Sequence, residues 1–248
     1  MKPHLTPSQR PPRLFSLSTL LAGLLLAAPG ALLRAETVLQ FQEGVWCGEE
    51  SYPADCVVED AYGDGLNPDR NLESPYCDYL GSARPQSRDC QAVFRFDLTA
   101  AEKAREVVSA KLALTPQEPI SEGEYIWEVY ALPSGNEKWS EATATFNGQE
   151  AGGSTPWVLA DGTNAENLSA AAVTGQLMGT FTGIVTADTP FTIDLDPGII
   201  KEWLKNPAKY AGFVLFQPVK SPGANIRLYS SEAKEPTFRP LLTLEVKK

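Results

Sequence analysis

The sequence predicts an all-β sandwich with one short helix near the C-terminus. Three observations carry that prediction. Short runs alternate apolar and polar residues, clusters of Gly, Pro, Asn and Asp separate them, and one capped stretch has helical spacing. From Glu36 onward the chain offers roughly 213 residues, a length suited to a single sandwich with long loops.

The C-terminal quarter is the clearest part. Phe191, Ile193 and Leu195 alternate with polar neighbours, as in a strand with one buried face. Asp196 then supplies an N-cap and Pro197 the first helical position, while Ile199, Ile200, Trp203 and Leu204 share one face and Pro207 ends the helix. Strand-like runs follow at 212–217, 226–229 and 241–246, set apart by Pro222-Gly223 and Arg239-Pro240. Earlier strands are expected at 38–42, 91–98, 107–115 and 125–132, and residues 99–106 make a charged connector with room for one helical turn. Two aliphatic-poor stretches remain. Residues 43–89 are expected to be mostly loop, and residues 147–188 offer strands only at 157–159 and 177–185.

Lys2, Arg10 and Arg13 precede an apolar run over 14–26, and Ala31 or Ala35 offers a small residue for cleavage. This predicts a secretory signal peptide over residues 1–35 and one domain over 36–248. The run falls short of the ~20 apolar residues a membrane span needs, although Arg34 beside the cut keeps an uncleaved anchor as the alternative. A secreted or periplasmic protein with no membrane insertion after cleavage is expected.

The chain has 21 Lys and Arg against 31 Asp and Glu; residues 1–35 hold four of the basic residues and no acid, so the remainder carries 17 against 31, a formal charge of −14. Such a field disfavours nucleic acid as a partner. The sole histidine is His4, so the region after residue 35 contains no Ser-His-Asp triad, Cys-His nucleophile or His-ligated metal. Four cysteines fit an oxidising compartment. Of the three possible pairings, Cys47–Cys56 and Cys77–Cys90 close the most local loops; a four-thiolate metal site is the rival, without any C-x-x-C element.

The turn-rich run from Glu59 to Asp69 gathers hard oxygen ligands, and Asp60, Asp64, Asn67 and Asp69 are the candidate ligands for a structural Ca²⁺. The same residues also suit side-chain turns. Trp127, Trp139 and Trp203 read as core. Trp46 and Trp157 fall in the aliphatic-poor stretches, the first of which also holds Tyr62, Tyr76, Tyr79, Arg70, Arg84 and Arg88. Exposed rings stack on apolar sugar faces and guanidinium groups bond hydroxyls or carboxylates, so these eight residues are the candidate sugar contacts; their other reading is as cover for the edge of a small core. No pair among the many carboxylates is singled out for glycoside hydrolysis.

Asp60-Ala61-Tyr62, Arg95-Phe96-Asp97-Leu98, Trp139-Ser140-Glu141, the helix from Ile199 to Trp203, and Tyr229-Ser230-Ser231-Glu232 with Arg239-Pro240 occur in one order along the chain. In that ordered set the sequence resembles the DNRLRE domain family, also called carbohydrate-binding module family 96. The resemblance implies a secreted jelly-roll-type β-sandwich, with alginate binding described for some members. The long cysteine-bearing stretch between Tyr62 and Cys90 and the Gly-Ala-Thr segment before Phe191 depart from the family pattern, and the shared motifs themselves read as structural. The expected function is non-catalytic binding of a polysaccharide or cell-surface glycan, a uronate-containing one among the candidates. A structural or adhesive envelope protein is the alternative, and a polysaccharide-degrading enzyme the third.

Overall fold

Between Glu36 and Lys248 the described residues form two antiparallel sheets around a shared apolar core, with a second core on the outer face of the larger sheet. The computed structural model describes residues 36–44, 58–66, 79–84, 89–119, 123–150, 154–222 and 225–248. The expected signal peptide over residues 1–35 lies outside them. No helix among the described residues is long and apolar enough to cross a membrane.

The smaller sheet has the order β1 (Glu36–Phe41), β12 (Leu241–Lys247), β5 (Glu106–Leu114) and β9 (Phe191–Leu195). Its strands alternate cleanly between buried and solvated residues, the pattern of an antiparallel sheet with one wet face. First and last strands are neighbours, with Phe41 opposite Leu242 and Glu36 opposite Lys247.

The larger sheet runs β6 (Pro116–Pro119), β11 (Asn225–Tyr229), β3 (Tyr79–Ala83), β4 (Cys90–Phe96), β10 (Phe213–Phe216), β7 (Tyr125–Ala131) and β8 (Gln176–Gly183), and β2 (Val58–Asp64) also pairs with β4. Facing the smaller sheet, Trp127 stacks on Tyr125 and on Phe191 with ring centroids 5.1 and 4.9 Å apart. Its indole N–H donates to Ser82 Oγ at 3.1 Å, so the buried ring leaves no polar atom unpaired.

The helix expected after residue 196 is α2 (Pro197–Lys205). Asp196 accepts from the Gly198 N–H at 2.7 Å, and Ile199, Ile200 and Trp203 are buried. The connector after β4 forms a single 3₁₀ turn, Thr99–Ala101.

Three departures from the sequence reading share one cause. Residues 43–89, expected to be mostly loop, contain β2 and β3, which lie inside the larger sheet. Residues 157–159 form only an isolated bridge between Val158 and Asn164, and a second helix, α1 (Leu168–Thr174), stands nearby. The cause is the second core. Residues 133–150 and 154–175 cover the outer face of the larger sheet, packing Trp139, Phe146, Trp157, Leu168, Ala171 and Ala172 onto Ala61, Val93, Val214 and Phe216. Strands covered on both faces lose alternation, and β10 reads Phe-Val-Leu-Phe with all four residues buried. β2 is thin for the same reason. A Cβ on Gly63 would meet Phe146 Cα at 2.8 Å, so the cover requires a residue that contributes no hydrophobic signal.

Polar side chains hold that cover in place. Asn136, fully buried, donates to the carbonyls of Pro133 and Val158 and accepts from the Val158 N–H. Gln149 does the same for Gly135, Pro156 and Lys138. The segment therefore has buried backbone satisfied by amide side chains in place of a ladder.

Candidate functional site

Two places gather chemistry. The first is an acidic cluster assembled from three remote segments. Asp60 sits on β2, Glu141 in the turn after Trp139, and Glu232 in the loop after β11. One carboxylate oxygen from each lies within 4.8 Å of the others. The loop is tied to β2 by the Ser231 N–H, which donates to Asp60 Oδ2 at 2.8 Å, and Ser231 Oγ donates to Glu232 Oε1 at 2.7 Å. Asp60 is 2 % exposed, and its Oδ1 has no hydrogen-bond partner. Burial first, then the charge of Glu232, holds its carboxyl well above the usual carboxylate range; the Ser231 bonds oppose this, and Glu43 adds to the rise.

Arg239 braces the same region through backbone carbonyls. Its Nε donates to the Ala233 carbonyl at 2.7 Å and its Nη1 to the Glu43 carbonyl at 2.9 Å, while its own carbonyl accepts from Gln42 Nε2. The loop after β11 is thereby fastened to the end of β1.

The second place is a cleft of about 270 Å³ at one end of α2. Trp203, Leu204, Pro207 and Tyr210 form its apolar wall, and Glu59, Arg95, Asp97 and Glu102 its polar side. The wall is rigid because Trp203 and Tyr210 pack with centroids 4.6 Å apart, and Trp203 stacks in turn near Phe213 of the core. Tyr210 Oη accepts from the Phe96 N–H at 3.0 Å; burial pushes this phenol well above its ordinary pKa. On the polar side Arg95 pairs with Glu59 and donates to the carbonyls of Glu137 and Trp139, so its direction is set by the neighbouring strand and by the outer cover. Asp97 accepts from the Thr99 N–H and hydroxyl, shaping the turn at the cleft mouth.

The sequence-predicted residues distribute differently from expectation. Trp157 is fully buried in the second core, its indole N–H donating to the Thr145 carbonyl at 3.0 Å, and presents no ring to a sugar. Tyr62 is 7 % exposed and belongs to the core between the sheets. Both expectations are corrected by the same fact, that the aliphatic-poor segments pack against sheet faces. Arg84 spends Nη1 on the Ser221 carbonyl at 2.8 Å, which fixes the turn before β11. Tyr79 begins β3, with Tyr229 as its backbone partner. Trp46, Arg70, Tyr76 and Arg88 lie outside the described residues.

Of the expected calcium ligands, Asp60 and Asp64 are not loop residues but part of β2, and Asn67 and Asp69 lie outside the described residues. Asp64 is buried, and its Oδ1 accepts from the Leu66 N–H in a side-chain turn. Cys90 is buried on β4 against Gly81; its expected partner Cys77, like Cys47 and Cys56, lies outside the described residues.

Sequence reasoning passed over Glu141 and Glu232 as ligands because each is one acid among many. Their positions after a serine in Trp139-Ser140-Glu141 and Tyr229-Ser230-Ser231-Glu232 were the available signal. Comparison with family models and with curated proteins finds no match to this chain.

Proposed function

We propose that this is an exported, non-catalytic carbohydrate-binding protein whose sugar site is the cleft at α2. The observation that carries the reading is the meeting, in one concave site of about 270 Å³, of an apolar wall of Leu204, Pro207 and the half-buried Tyr210, backed by the buried Trp203, with the side chains of Arg95, Asp97 and Glu102. A sugar ring offers an apolar face and a rim of hydroxyls, and such a site meets both. The volume lies just under the roughly 300–1,000 Å³ of typical small-molecule pockets, which suits one end or one unit of a chain better than a long groove.

Charge narrows the ligand. Among the described lining residues Glu59, Asp97 and Glu102 supply three carboxylates, and the one guanidinium, Arg95, is already paired with Glu59. A neutral, hydroxyl-rich glycan meets this lining at lower electrostatic cost than a uronate. The ordered motifs resembling the DNRLRE domain family support sugar binding as a class, and the lack of histidine after residue 4 removes histidine-based catalysis from the options.

Retention on a panel of neutral and uronate-containing polysaccharides tests the reading. Glu102→Ala removes an exposed acceptor at the rim and Leu204→Arg fills the half-exposed wall; both are expected to lower retention while leaving the melting temperature near that of the parent. Unchanged retention in both variants would move the site away from this cleft. Absence of retention on every glycan, with self-association or adhesion to cells, would favour a structural envelope protein.

A further inference from the structure

We propose that Asp60, Glu141 and Glu232 form a Ca²⁺ site that fastens β2, the outer cover and the loop after β11 to one another. Two independent observations carry it. Carboxylate oxygens from three segments far apart in sequence converge within 4.8 Å, close enough to share one ion with bonds of about 2.3–2.6 Å. Separately, Asp60 Oδ1 has no hydrogen-bond donor although the residue is 2 % exposed. A buried carboxylate oxygen left without a donor is costly, and the other oxygen of the same group is already used by the Ser231 N–H. A cation supplies what the protein does not.

The donor set selects the ion. Three hard, anionic oxygens suit a group 2 cation and not a thiophilic metal. Mg²⁺ keeps most of its water and binds through one or two carboxylates at tight octahedral distances, whereas Ca²⁺ takes several carboxylates directly in flexible geometry. Glu141 and Glu232 are half-buried, which leaves room for water to complete the coordination. The surrounding bonds hold ligands in place: Ser231 Oγ orients Glu232 and Arg239 braces the loop at Ala233. This site replaces the expected one over Asp60, Asp64, Asn67 and Asp69, keeping Asp60 alone. It is independent of whether a sugar binds at α2.

The test uses the purified protein stripped with EDTA. Calorimetric titration with CaCl₂ is expected to show one saturable site, and the melting temperature to rise by about 5–10 °C when Ca²⁺ exceeds its Kd roughly a hundredfold. Glu141→Gln and Glu232→Gln, at half-buried positions, are expected to weaken Ca²⁺ binding on the order of tenfold or more while the chelated proteins still fold. Asp60→Asn is expected to abolish the Ca²⁺ response. No binding heat together with no thermal shift overturns the site, as does wild-type Ca²⁺ affinity in both glutamine variants. An equal response to MgCl₂ overturns the choice of ion. An acid-stabilised protein indifferent to Ca²⁺, with Asp60→Asn at least as stable as the parent, would show that Asp60 holds a proton in place of a metal.

Discussion

The guanidinium of Arg95 lies over the ring of Trp139, 4.7 Å from its centroid. It thereby joins β4, the edge of the cleft and the outer cover through one side chain. The Trp139 indole N–H in turn donates to the Ala211 carbonyl at 2.7 Å, immediately before β10.

Arg95→Ala is therefore expected to destabilise the fold by about 2 kcal/mol, losing charge-assisted bonds to two carbonyls along with the Glu59 pair and the ring contact. Arg95→Lys keeps the charge but not the fork of donors and should recover only part of that loss. Urea unfolding of the parent and both variants measures this. Equal stability in all three would mean that the guanidinium is idle.

Trp157→Phe should lower stability by about 1–2 kcal/mol and Trp157→Ala by about 3–5 kcal/mol, because the ring is fully buried and its N–H is bonded. Glycan retention by the folded fraction of Trp157→Phe should match the parent. Loss of retention without loss of stability would place an exposed ring where the structure has a core residue.

Gly212 has a φ of +88°, and a Cβ there would lie 2.3 Å from the Phe94 carbonyl oxygen. Gly212→Ala is expected to cost about 3 kcal/mol or more, since strain in the left-handed region adds to a clash with the backbone of a central strand. Thermal or urea unfolding reads the effect, and a cost under about 0.5 kcal/mol would show that the strand shifts freely.

Alkali should unfold the protein through its tyrosines. Burial, followed by the hydrogen bond and charge of Glu128, pushes the Tyr130 phenol up to about 12, and burial raises Tyr210 as well. An acid whose folded pKa is raised binds more protons folded than unfolded above pH ~10, so stability is intact below that pH and declines as pH rises further. Tyr210→Phe should flatten this alkaline decline while lowering stability near neutrality, because the Phe96 N–H loses its acceptor. Urea unfolding at a series of pH values tests both arms, and an unaltered alkaline slope in the variant would exclude Tyr210.

Much of the fold was legible because its signals are local. The alternation of Phe191, Ile193 and Leu195, the Asp196-Pro197 cap and the apolar stripe of α2 follow from backbone period and capping chemistry, which neighbouring residues decide among themselves. The absence of histidine after residue 4, with the chemistry it excludes, also comes from the chain alone. Which faces are covered does not. β2 reads as a loop because Asp60, Ala61, Gly63 and Asp64 carry little apolar signal, yet it lies between Arg95 on β4 and Phe146 of the cover. Trp157 and Trp203 are equally apolar as residues, and only packing across long sequence separations buries the first under the outer cover and the second behind the wall of the cleft. Asp60, Glu141 and Glu232 meet for the same reason. A cluster built from three distant segments leaves no spacing in the sequence, so it emerges only once the sheets have closed.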